Sequence, residues 1–195
     1  VLAECRGLAD AAADPYDREF AADLGLRPAL RWLNALAART LISGRYRMAL
    51  DAVERSLELA PDDPGDCRFT GMLALAKLEC GQDALERFYD DHAQAFLAHP
   101  GIDPWTLLAR IATAYKEFAF DEATRLLQHL IDRYPRAERA LYYQAEFPDG
   151  VYARVHVEPG SEDELILAVS EATVLLQEGL GAPENAPLAV WLATH

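Results

Sequence analysis

Asp90, Asp91 and His92, followed by His99, are the side chains whose types and spacing come closest to chemistry, since carboxylates and imidazoles hold divalent ions and trade protons near neutral pH. They fall in a stretch of helical character, where adjacent side chains diverge by about 100°. They therefore do not converge on one ion, and a solvated helix surface is the reading they support. Cys5 stands between Glu4 and Arg6 with no identifiable histidine partner, which leaves a thiol nucleophile unsupported. The sequence has no H-E-x-x-H pair, G-x-S-x-G elbow, phosphate loop or G-x-G-x-x-G turn. A non-enzyme without cofactor or metal is expected.

Composition narrows the class further. The 195 residues suit one domain or a short repeat array able to bury a core without disulfide or metal support. Ala and Leu dominate the 51% hydrophobic share, which favours helices over strands. A net charge of -14 repels phosphate backbones and anionic headgroups, so neither nucleic acid nor membrane is an expected partner. Cys5, Cys67 and Cys80 lack C-x-x-C spacing and read as small buried hydrophobes. With neither a membrane-spanning run nor the basic and apolar start of a signal peptide, a cytoplasmic protein is expected. The start at Val1 instead of Met is what a piece of a longer protein would show.

The elements that must position any binding residues are helices. An Ala-rich helix over residues 2–13 gives way at Asp14-Pro15, where Asp suits the N-cap and Pro the first helical position. That second helix is expected to stop at Gly25, and a third to run from Arg27 to Ser43 with Leu30, Leu33, Ala37 and Leu41 on one stripe. After Gly44, residues 46–60 form its partner, turning Met48, Ala49, Val53, Leu57 and Leu59 inward. Two further hairpins follow: 66–79 with 82–97, and 103–117 with 121–134, punctuated by Pro100-Gly101 and Pro135. Residues 136–146 are helical, and 152–157 alternate as a short strand or extended crossing would. Ser161 and Glu164 form a capping box for a helix to about residue 178, its apolar face Leu165, Val169, Ala172 and Leu176. Trp191 and Leu192, on a last short helix from Ala189, fold back onto it.

Gly44, Tyr46, Ala49, Ser56 and Pro61, with Leu33 and Ala37 before them, resemble a tetratricopeptide (TPR) hairpin of about 34 residues, with small side chains where helices touch. Phe120, Ala123 and Pro135 repeat the spacing of Tyr46, Ala49 and Pro61, and Ala84-Leu85 echoes Ala49-Leu50 in a degenerate middle hairpin. The chain is similar to small bacterial TPR-like proteins of unassigned function, in which an Arg-Pro pair, here Arg27-Pro28, opens a repeat and a segment like Gly160 to Glu164 opens a late helix. Thr40 stands where the motif has tyrosine, and residues 147–159 depart from the pattern.

This resemblance implies an all-α, right-handed solenoid of about three hairpins over 27–135. Two helices precede it, and an irregular segment with capping helices over 136–195 completes a single domain. It also implies non-catalytic protein or peptide binding on the concave face, by Arg31, Asn34, Phe69, Lys77, Trp105, Tyr115 and Lys116. Lys77 and Lys116 are the only lysines and fall at equivalent repeat positions, so an acidic segment is the expected partner. Chaperone-binding TPR domains carry an Asn four residues after each basic clamp position. Here Arg31 is followed by Ala35, Asp66 by Thr70 and Trp105 by Ala109, so that clamp is absent. A scaffold self-associating as a homodimer through the array ends is the alternative.

Overall fold

The computed structural model describes residues 2–97, 99, 101–134, 136–146, 157–177 and 188–195. Among these the chain is all-α, in twelve helices. The first three are α1 (Leu2–Ala11), α2 (Pro15–Ile42) and α3 (Tyr46–Leu59). Asp14 caps α2 by accepting from the Tyr16 N–H at 2.7 Å, with Pro15 in the first turn as its spacing predicts. The expected break at Gly25 does not occur, and α2 continues through Pro28 for 28 residues. Burial overrides the local breakers here: α1 packs along α2, Gly25 is buried, and the proline forgoes one ladder bond within a helix held from outside.

Residues 43–45 turn the chain so that α3 packs back on α2, with Gly44 at φ +74°, a conformation in which a Cβ would be strained. Ala37, Ala49, Val53 and Leu57 are buried between them, whereas Met48, expected inward, is exposed. Next come α4 (Cys67–Lys77), α5 (Gln82–Asp91), α6 (Ala93–Phe96), α7 (Pro104–Lys116) and α8 (Phe120–Arg133). The helix expected over 82–97 is interrupted at His92. Asp63, not Asp66, accepts the Cys67 and Arg68 N–H groups at 3.0 and 2.9 Å. Both aspartates take positive φ, which Asp tolerates in loops.

At the centre of the core α4 packs on α3 and α7, and α7 packs on α8. A Cβ on Gly71 would lie 2.6 Å from Phe88 and 3.0 Å from Val53, so three helices meet at that glycine. Ala123 is fully buried. The chain ends in α9 (Ala137–Glu146), α10 (Glu162–Glu171), α11 (Thr173–Leu176) and α12 (Leu188–Thr194). Ser161 caps α10 through the Glu164 N–H at 3.1 Å, and Leu165, Val169, Ala172 and Leu176 are buried as their spacing predicts. The single late helix divides at Ala172. Trp191 and Leu192 are buried, with α12 on α9 and α11. The extended segment expected over 152–157 lies, except for Val157, outside the described residues, as do Pro100 and Pro135. No helix among the described residues is long and apolar enough to cross a membrane.

Candidate functional site

Two adjoining cavities run along one side of α2. The inner one, about 140 Å³, lies between Asn34, Ala38 and Leu41 of α2 and Cys67, Thr70 and Leu73 of α4, with Glu171 at its end. The outer one, about 510 Å³, runs past Arg27, Leu30 and Arg31 toward Asp62 and Pro64 of the α3–α4 loop. They meet at Asn34 and Gly65, which line both. From Asp23 to Leu41 the trough follows α2 for roughly 27 Å, the reach of about eight extended residues.

The junction is tight. Ser56 Oγ donates to Asn34 Oδ1 at 3.1 Å, and a Cβ on Gly65 would fall 1.7 Å from Asn34 Nδ2. Glycine at residue 65 therefore lets Asn34 lie across the trough where the α3–α4 loop approaches α2.

Of the residues expected on a concave face, Arg31 and Asn34 line this trough, and the other five do not. Phe69 and Trp105 are buried, with ring centroids 4.1 Å apart and planes within 5° of parallel. The reason is the C-terminal part of the chain: α10 packs on α7, and α11 packs on α4 and α7. Two large rings left in water would forgo about 1.5–3 kcal/mol each, and the apolar face of α10 and α11 needs the same cover. Trp105 Nε1 donates to Glu171 at 2.7 Å, which satisfies the one polar atom of the buried indole.

Tyr115 packs between Phe120 and Trp191, with centroids at 5.6 and 5.2 Å. Lys77 Nζ lies 5.3 Å from the Tyr46 ring, and Lys116 Nζ lies 3.7 Å from a Glu79 carboxylate oxygen.

The histidine that drew attention to residues 90–99 has a different place from the one expected. Asp90 and Asp91 are exposed and His92 rests edge-on to Phe88, whereas His99 is buried against Glu164 of α10. His99 Nε2 meets Glu164 Oε1 at 2.9 Å and Nδ1 meets the Gly101 carbonyl at 3.0 Å. Both ring nitrogens face acceptors, so the imidazolium satisfies both. Burial pulls the imidazole down, but the bonds to Glu164 and Gly101 and the carboxylate charge outweigh it and hold it above its usual value.

For Glu164, burial pushes the carboxyl up, and His99, the Gly160 N–H and the Tyr134 hydroxyl together hold it below its usual value. Tyr134 donates to Glu164 Oε2 at 2.9 Å, and its own hydroxyl is held protonated by burial and the adjacent carboxylate. This cluster fastens the start of α10 to the loop before α7 and the end of α8. Sequence reading missed Glu164 in this role, because its S-x-x-E context accounts for it locally.

Of the three cysteines, Cys67 is buried as expected and Cys80 is exposed. No group of three metal-ligating side chains occurs among the described residues. Compared with models of known protein families, with curated proteins and with solved structures, the chain matches none.

Proposed function

We propose that the protein is a non-catalytic binding module of TPR-like build that holds an extended segment of another protein in the trough along α2. The observation that carries this is the pair of adjoining cavities between α2, α4 and the α3–α4 loop, which leave two hollows on either side of Asn34 where the rest of that face is covered by α10 and α11. Ala38, Leu41 and Leu73 offer an apolar wall, and Asn34, Thr70 and Glu171 a polar one. Asp23 and Asp62 with Arg27 and Arg31 line the outer cavity, so that end offers charges of both signs to a bound segment.

Peptides selected from a randomised display library against the whole chain test this. Their affinity, by calorimetry, should fall at least about tenfold in Ala38→Trp, which fills the inner cavity, and stay unchanged in the double variant Lys77→Glu with Lys116→Glu. Selected peptides indifferent to Ala38→Trp would remove the assignment.

A further inference from the structure

The solvent side of α2 carries a row of large apolar side chains that nothing within the described residues covers. Tyr16, Phe20, Leu24 and Trp32 are 74%, 55%, 59% and 65% exposed, and Pro28, between the last two, is exposed as well. At four-residue spacing these five form one continuous ridge along the helix. The Tyr16 and Phe20 rings lie parallel, 6.5 Å apart, so part of the ridge is already ordered. Scattered exposed apolar residues are ordinary, whereas a contiguous ridge of this size marks an interaction surface.

Charge identifies the occupant. Between Asp14 and Asp23, α2 and its cap carry four acidic side chains against Arg18 alone, and between Leu24 and Ile42 the helix carries Arg27, Arg31 and Arg39 with no acid. The helix is acidic up to Leu24 and basic beyond it. Leu24 is also the midpoint of the ridge. A second α2 laid antiparallel across the first about a two-fold axis at Leu24 sets Asp17 of each copy opposite Arg31 of the other, while Arg27 stays paired with Asp23 of its own helix at 2.7 Å.

We infer that two copies of this chain pair in that way. Leu24 meets Leu24 at the axis, Phe20 meets Pro28, and Asp17 of each copy faces Arg31 of the other, while Tyr16 and Trp32 flank the crossing. Ridges of this spacing pack side by side when helices cross at about 50°, the commonest class of helix contact. Repulsion between two chains of charge -14 is spread over their surfaces and is screened within about 8–10 Å, whereas the Asp17–Arg31 pairs act at contact.

The pairing shares only Arg31 with the rim of the outer cavity, and its test reads mass instead of peptide affinity. Sedimentation of the whole chain should show a reversible dimer at micromolar concentrations. Leu24→Glu, which sets two like charges face to face on the axis, should weaken it at least about tenfold with helicity by circular dichroism unchanged. Asp17→Lys alone and Arg31→Glu alone should each sediment as monomers, and an equimolar mixture of the two should form a mixed dimer, because only then does every charge face its opposite. A wild type that stays monomeric at all concentrations, a dimer indifferent to Leu24→Glu, or a mixture that fails to pair would overturn the inference.

Discussion

The indole of Trp105 and the carboxylate of Glu171, 66 residues apart in the chain, meet at 2.7 Å in the buried seam between α7 and α10. That bond lets a tryptophan lie flat against Phe69 without stranding its N–H.

Glu171→Leu should therefore cost about 1–3 kcal/mol of stability, because it leaves the buried donor without its acceptor. Glu171→Gln keeps an acceptor in place and should cost less. Adding Trp105→Phe to Glu171→Leu removes the orphaned N–H, so the pair should be non-additive. Urea denaturation of the wild type, Glu171→Leu, Trp105→Phe and their double variant measures the coupling, with Glu171→Gln alongside.

The His99–Glu164 pair gives stability a definite pH dependence. His99 titrates above its ordinary 6.5 in the folded chain, so its contribution is complete below that value and is lost as pH rises through the folded one. Glu164 titrates below its ordinary 4.5, so its contribution is present above that value and is lost as pH falls through the folded one. Asp103, raised by burial against the pull of its bonds to Thr106, slopes the other way near the acid limb. Stability should thus peak between the ordinary values of Glu164 and His99. His99→Gln should lower that maximum by about 2 kcal/mol and flatten the alkaline fall, as read from denaturation midpoints across pH.

Gly71→Ala brings a methyl within 2.6 Å of Phe88 and 3.0 Å of Val53, both buried. Overpacking costs about 1–3 kcal/mol, while the gain in helix propensity returns roughly 1 kcal/mol. A net loss of about 1 kcal/mol by thermal or chemical unfolding is expected, and a stabilised variant would mean that the α3–α4–α5 junction is looser than described.

Gly65→Ala should drive Asn34 out of the trough and break its bond to Ser56, at about 1 kcal/mol in stability. Replacing Asn34 by alanine in the same chain removes the clash, so part of the loss should return. A single variant as stable as the double would contradict the close approach at 1.7 Å.

Local rules carried much of this fold. The cap at Asp14-Pro15, the turn at Gly44, the stripe of Leu30, Ala37 and Leu41, and the Ser161 cap all follow from chemistry within a turn or two, where sequence neighbours are spatial neighbours. Of the proposed trough, Arg31 and Asn34 were named in advance only through the resemblance to a TPR hairpin, whose first helix turns such positions toward its concave face.

Contacts across the chain decided the rest. Gly25 and Pro28 break helices in isolation, yet α1 against α2 outweighs them. Phe69 and Trp105 read as groove anchors until α10 and α11 cover them. His99 reads as a helix-surface residue until Glu164 arrives from 65 residues away. Periodicity shows which side of a helix is apolar, and only the packed chain shows whether that side is turned to a partner or closed by its own C-terminal helices, because burial energy is indifferent to sequence separation.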